Sequence, residues 1–280
     1  MNFLFLRSYM TRLPTQMRVA VIFMLFVVLV SYLGPWIASI NPLSISPELR
    51  LNPPSTAHFL GTDMFGRDIF GRVLYGGQVS LAIGLATAAL AATAGTVLGL
   101  VAGAGQASDK ILMRIMDGMM AIPGILLAIA LATIFGRGIW TVILALAIPE
   151  VPGVARLVRS LTLTIREQVF IEAARSYGAS PLRLLVKYIL PNALAPIAVQ
   201  ATYICGLAIL YEAYLGFVGV GVPPEYPSWG NIVAEGRSFA LIAPYLSLYP
   251  SLVIGAFVLA VNLIGDGLRD MLDPRFALPD

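Results

Sequence analysis

Apolar residues fill runs of about twenty positions along most of the chain, the length that an α-helix needs to cross a membrane. Six such runs alternate with shorter, more polar connections. They lie approximately at residues 19–40, 79–105, 115–135, 139–158, 193–218 and 241–264. The pattern predicts an all-α polytopic membrane protein with six transmembrane helices.

Composition excludes an ordinary soluble domain. Of the 280 residues, 58% are hydrophobic and only 12% are charged, whereas soluble domains are about 45–50% apolar and about 25% charged. Cys205 is the only cysteine and His58 the only histidine. A disulfide within the chain is therefore impossible, and we predict neither a metal site nor a bound cofactor.

The distribution of Lys and Arg predicts the orientation. With the N-terminus inside, thirteen of the eighteen basic residues fall in inner connections, as the positive-inside rule requires. This bias also explains the net charge of +3 without nucleic acid. We therefore expect both termini to be cytoplasmic. The predicted parts are a leader (1–18), a first helix with an external loop (19–78), a core (79–264) and a tail (265–280).

The most polar stretch, residues 167–191, reads as two short amphipathic helices on the cytoplasmic side. Gly178 ends the first helix, since glycine readily takes the left-handed conformation found after helices. Ser180 caps the second helix, Pro181 occupies its first position, and Pro191 closes the unit. The two predicted apolar stripes are Val169, Phe170, Ala173, Ala174 and Tyr177, and then Leu182, Leu185, Val186 and Ile189. Periodicity alone favours a linker that lies on the membrane surface.

The same stretch resembles the EAA signature of the permease subunits of ABC importers, through residues 172–174, Gly178 and residues 189–191. The resemblance implies a cytoplasmic coupling helix that docks on a separate ATPase subunit. The residues implied in coupling are Glu172, Ala173, Ala174, Gly178, Ser180, Arg183, Leu190 and Pro191.

Further motifs resemble one subgroup, the permeases for oligopeptides, dipeptides and nickel. Residues 58–68 are similar to its H-x-LGTD-xx-GRD passage, and residues 262–270 to its NLLGDGLRD ending. Ser-Trp-Gly at 228–230 matches its external loop. The chain departs from the subgroup at Gly71, where serine is usual, and at Val151, where tryptophan is usual.

The resemblance implies a heterodimer of two related permeases in a bacterial inner membrane, with two ATPase subunits and an external solute-binding protein. ATP and Mg²⁺ then belong to the ATPases, so this chain is expected to be a transport subunit and not an enzyme. Di- or oligopeptides are the expected substrates. A nickel or metal-chelate importer and a non-transporting receptor or scaffold remain as alternatives. A membrane protease is disfavoured, because the single histidine lies outside the predicted helices.

Two carboxylates within the apolar runs are candidates for a translocation path. The candidates are Glu150 and Glu212, because inserting an acid at the centre of a membrane helix costs roughly 2.5–3.5 kcal/mol of free energy. An alternative for Glu150 is a position near the inner surface, paired with Arg156 or Arg159.

Three local expectations concern the inner half of the core. Asp117 lies one turn after Arg114, so we predict an ion pair between them. Pro123 is expected to kink the third helix, and Pro149 with Pro152 to break the fourth. The small residues Gly95, Gly99 and Gly103 recur every fourth position in the second run, a spacing that favours close helix packing.

Overall fold

The computed structural model describes residues 14–38 and 41–272. Within them the regular structure is helical, apart from one antiparallel bridge between Thr62 and Asp68. The main helices are α1 (Thr15–Ala38), α2 (Ile69–Ala104), α3 (Gln106–Met120), α4 (Gly124–Phe135), α5 (Ile139–Arg166), α6 (Val169–Ser176), α7 (Pro181–Val218), α8 (Trp229–Gly236) and α9 (Tyr245–Leu272). Most of the predicted leader and the last eight residues of the predicted tail lie outside the described residues.

Within residues 14–38 and 41–272, five helices are long and apolar enough to cross a membrane, namely α1, α2, α5, α7 and α9. The third apolar run is not one kinked helix, as the sequence predicted. It is divided between α3 and α4, which are bent by 89° at residues 121–123. Pro123 explains the break, because proline disfavours helical geometry in the residue before it. Counted together, α3 and α4 supply a sixth span.

The prolines of the fourth run do not break it, so that expectation was wrong. Helix α5 continues through both Pro149 and Pro152. Each proline removes only one backbone donor, and neighbouring helices in a membrane bundle compensate for such losses. One such neighbour is α4, where a Cβ on Gly124 would lie 3.6 Å from the Pro149 Cβ.

Close packing of α2 against α5 confirms the role predicted for the regularly spaced glycines. A Cβ on Gly95 would lie 2.5 Å from the Val154 Cβ, and one on Gly99 would lie 2.6 Å from the Ala155 carbonyl oxygen. Gly103 is equally tight. The two helices approach each other at distances that only glycine permits. Because lipid provides no hydrophobic driving force between helices, this close van der Waals packing stabilises the bundle.

The connections collect at two ends of the bundle. The capped end is formed by residues 41–68, 136–138 and 219–244, where α8 lies between α7 and α9. The coupling end carries residues 167–189 beside the last turns of α2 and α5. The predicted external loop and the predicted cytoplasmic segment therefore lie at opposite ends of the molecule.

Candidate functional site

The turn between α6 and α7 has the geometry that the sequence predicted. Gly178 has a φ of +80°, and its N–H donates to the Arg175 carbonyl at 2.9 Å. The Ser180 hydroxyl accepts from the Arg183 N–H at 3.4 Å, and Pro181 is the first residue of the next helix. A left-handed glycine followed by a serine cap thus fixes the angle between the two helices.

The predicted end of the unit at Pro191 was wrong. The helix passes through Leu190 and Pro191 without interruption and becomes the membrane-spanning part of α7. A π-helical stretch, Leu184–Ile189, precedes the proline. The wider turn of a π-helix accommodates Pro191, because proline has no N–H to donate and its ring would crowd the carbonyl four positions earlier. The second half of the segment is therefore rigidly joined to the bundle.

The apolar residues that the coupling end buries overlap only in part with the stripes that periodicity indicated, through Ala174 and Ile189. Ile171, Ala174, Leu184 and Ile189 are buried against the bundle. Much of the two predicted stripes is uncovered, and Tyr177 is 93% exposed. The large apolar side chains left open are Val169, Phe170, Tyr177, Leu182 and Val186. This chain therefore leaves an apolar surface open on the segment.

The polar members of the predicted coupling set also lie outside the core. Glu172, Ala173 and Arg183 are exposed, whereas Ala174 is buried. Leu190 is half-buried and Pro191 is exposed. The set thus combines side chains that fix the segment to the bundle with side chains that face away from it.

Ion pairs join α3 to α5 near the coupling end and correct one prediction. Asp117 pairs with Arg156 of α5 at 2.5 Å, and not with Arg114 of its own helix. One turn farther along α5, the Arg159 guanidinium donates from Nη2 to the Asp109 Oδ2 at 2.6 Å. The packing of α3 beside α5 turns both aspartates toward these arginines. Sequence spacing within one helix carries no information about that neighbour.

Glu212 lies in a closed polar network near the capped end. Its side chain has no solvent exposure and accepts from the Ser228 hydroxyl at 2.7 Å and from the Ser80 hydroxyl at 3.2 Å. The Ser80 oxygen in turn accepts the Trp229 N–H at 3.1 Å. The carboxylate therefore ties α2, α7 and α8 together. In this conformation it does not line an opening, which departs from the predicted role in a translocation path.

Glu150 has a different environment, half-buried where α5 packs against α7. Its charge lies close enough to act on Tyr211 of α7. Among the described residues, no hydrogen bond or ion pair is made by its carboxylate. Both arginines considered as partners, Arg156 and Arg159, are paired with aspartates instead. Of the two candidates, Glu150 alone has a carboxylate with open surface beside it.

A buried charge cluster at the capped end was missed by the sequence reasoning. Asp63 accepts from Arg67 at 2.5 Å and from Arg72 at 2.8 Å. Glu235 accepts from the same two arginines, at 2.6 Å in each case. The GTD-xx-GRD motif was the available signal for two of these residues, Asp63 and Arg67. Glu235 lies far along the chain, on α8, and no local pattern marks it.

This arrangement defines a class of protein: a polytopic helical membrane protein with a structured cap at one end and a partly uncovered helical segment at the other. Residues 95–278 match the family model described as the binding-protein-dependent transport system inner membrane component. The chain belongs to this family of ABC-importer permeases, as its motifs had indicated.

Curated relatives cover nearly all of the chain. A putative peptide transport system permease protein of Brucella abortus is 47% identical over 93% of this chain and 88% of its own length. The dipeptide transport system permease protein of Alkalihalophilus pseudofirmus is 44% identical, over 89% of this chain and 82% of its own. Among solved structures, the inward-facing MetNI methionine ABC transporter superposes with a TM-score of 0.59 at 22% identity, covering 71% of this chain and 95% of that one. That likeness shows a shared fold.

Proposed function

We propose that this permease forms half of the translocation path of an importer for di- or oligopeptides. The relatives named above are described as peptide and dipeptide transport permeases and align along almost the whole chain. Nickel transport, the alternative left by the motifs, gains no support from them. The path would lie between this chain and a related second permease.

The observation that carries the transport mechanism is the uncovered apolar surface of residues 167–189. Tyr177 and Val169 are 93% and 80% exposed, although the segment is anchored through Ile171. Exposed apolar patches next to charged residues are typical of protein-binding surfaces. In this proposal two ATPase subunits bind ATP and Mg²⁺, and one of them docks on this surface.

The joint between segment and bundle supports transmission of movement. Helix α7 continues from Pro181 at the coupling end to Val218 at the capped end. A displacement of the docked segment would therefore move the membrane span itself, with no flexible linker between them. At the other end, an external solute-binding protein would deliver the peptide. In the proposed orientation, the coupling end and both termini lie in the cytoplasm of a bacterial cell.

Uptake in a strain that lacks the gene tests the function. We expect loss of labelled Ala-Ala uptake and its restoration by the wild-type gene, with nickel uptake unchanged. Tyr177→Ser supplies a second variant, expected to reach the membrane in normal amount but to restore little uptake, because it removes an exposed contact. Normal Ala-Ala uptake in the deletion strain, together with loss of nickel uptake, would overturn the peptide assignment.

A further inference from the structure

The starting observation is a membrane carboxylate without a counter-charge in the described part of the chain. Glu150 lies near the middle of α5, which spans Ile139–Arg166. An acid at such a depth is expensive when it faces lipid, by roughly 2.5–3.5 kcal/mol. Acids that persist in membrane helices usually face protein or a water-filled cavity and serve transport.

Neutralisation by an arginine of the same helix does not explain Glu150. Arg156 lies about 9 Å farther along the axis, at 1.5 Å per residue, and binds Asp117. Arg159 is farther still and binds Asp109. Each of these two arginines is already paired with an aspartate, so neither of them neutralises the negative charge of Glu150.

The helix surface beside Glu150 is open. Gly153 lies one turn away on the same side of α5, and a Cβ placed on it would meet no atom within 4 Å. Farther along that side, Leu157 is half-buried and Ser160 is exposed. A small group that approaches Glu150 therefore has room next to the carboxylate, in contrast to the enclosed surroundings of Glu212.

The group of α7 that lies within range of the Glu150 charge suits a cation. This group is Tyr211, and Tyr203, half exposed, lies about 12 Å earlier along the same helix, at 1.5 Å per residue. Helix α4, which also packs against α5, contributes no titratable side chain. Tyrosine rings attract an ammonium group through their faces, and their hydroxyl oxygens accept its hydrogen bonds.

We propose that Glu150, on an open side of α5 and with Tyr211 of α7 near it, binds the protonated amino terminus of a peptide as it passes through the importer. The proposal rests on the peptide function proposed above and assigns the recognition of one end of the substrate to this chain. An ammonium group carries three donors and needs several acceptors. The carboxylate supplies the charged acceptor, and the Tyr211 hydroxyl supplies a weaker one.

Transport of labelled Ala-Ala into proteoliposomes tests the assignment. The complete importer is purified through a tag on this chain and supplied with its solute-binding protein and ATP. Glu150→Gln keeps the size of the side chain and removes its charge, so we expect transport per ATP hydrolysed to fall about tenfold, the effect of one hydrogen bond to a charged group. Glu150→Asp should retain most of the activity. Glu48→Gln, the same change at an exposed position, is the matched control.

The pH dependence of the effect identifies the group that is bound. The amino terminus of a peptide has a pKa of about 7.7–8.0, so at pH 9 about a tenth or less remains protonated. The ratio of wild-type to Glu150→Gln transport should therefore approach one between pH 7 and pH 9. Because both importers use the same binding protein, its own pH dependence cancels in this ratio.

The outcomes separate this inference from the proposed function. Ala-Ala transport by the wild type that falls in Glu150→Gln, recovers in Glu150→Asp and converges at pH 9 supports the inference. Equal transport by wild type and Glu150→Gln at pH 7, or a constant ratio across pH, would overturn it while leaving the peptide importer intact. No Ala-Ala transport by the wild type, with ATP hydrolysis still stimulated by the binding protein, would overturn the proposed function itself.

Discussion

The capped end and the coupling end differ in where their side chains find partners. At the capped end the cluster of buried charges is satisfied within the chain: the Arg72 side chain is 1% exposed and contacts both Asp63 and Glu235. At the coupling end the chain leaves apolar groups without cover, and Tyr177 is 93% exposed. The charge cluster of the capped end is complete within the chain, although Leu241 and Ile242 are exposed there, whereas the coupling segment has an apolar surface suited to a partner.

This difference predicts that substitutions at the two ends act on different properties. Removing a partner from a buried charge cluster leaves other charges unpaired, which lowers the stability of the chain. Removing an exposed apolar group costs little stability, since the group is already in contact with solvent. The capped end should therefore be sensitive in unfolding experiments, and the coupling end in transport experiments.

The largest effect on stability is expected for Arg72→Met. The change leaves Asp63 and Glu235 with only Arg67 between them, so a buried acid and a partly buried acid share one cation. We expect the free energy of unfolding to fall by about 3–5 kcal/mol. Thermal unfolding of the purified protein in detergent measures the loss.

Arg50 provides the control for that substitution. It lies in the connection that carries Asp63 and Arg67 but is exposed, so Arg50→Ala should change the free energy of unfolding by no more than about 0.5 kcal/mol. Equal stability of Arg72→Met and Arg50→Ala would show that the cluster does not hold the cap.

At the coupling end, Gly178→Pro is expected to lower transport by more than about tenfold. Proline requires a φ near −65°, whereas Gly178 has +80°, and proline also removes the N–H that donates to Arg175. The turn would then re-orient α6 relative to α7. ATP hydrolysis and Ala-Ala transport measured together in proteoliposomes check this expectation.

A graded substitution separates backbone geometry from side-chain crowding. No atom lies within 4 Å of a Cβ placed on Gly178, so Gly178→Ala meets no clash and adds only the strain of a left-handed conformation, about 1 kcal/mol. It should retain more transport than the proline variant. Full transport by Gly178→Pro would contradict a coupling role for this turn.

A smaller effect on stability, about 1–3 kcal/mol, is expected for Ser80→Ala. The hydroxyl of Ser80 donates to Glu212 and accepts from Trp229, and both partners are buried. Its loss leaves one buried donor and one carboxylate oxygen unsatisfied. Ser176→Ala is the same change at an exposed position of the coupling end and should leave the melting temperature nearly unchanged. Identical melting temperatures for the two variants would argue against a stabilising role for the Glu212 network.

The sequence predicted features whose cause is local. Gly178 and Ser180 act through their own backbone conformation and nearest neighbours, and the structure confirms both. The glycine series of α2 was predictable because its spacing repeats along one helix side. The spans themselves follow from long apolar runs, which only a membrane accommodates.

Features that depend on contacts between distant elements were missed or wrong. Glu235 completes a cluster with residues far away in the chain. The continuity of α5 through Pro149 depends on the helices packed around it, which no spacing rule describes. The open stripe at Tyr177 shows the same limit, because periodicity marks an apolar side without indicating whether the chain itself covers it.

The smallest effect concerns the ion pair that sequence spacing assigned to the wrong arginine. Arg156 and Asp117 are 45% and 57% exposed, so their pairing should contribute only about 0–1 kcal/mol. A double-mutant cycle with Asp117→Asn and Arg156→Ala should still show a small favourable coupling energy. The parallel cycle with Arg114→Ala should give none, because Asp117 turns toward α5. A coupling energy in the Arg114 cycle alone would restore the pairing within α3 and would mean that α3 is held against α5 chiefly by Arg159 and Asp109.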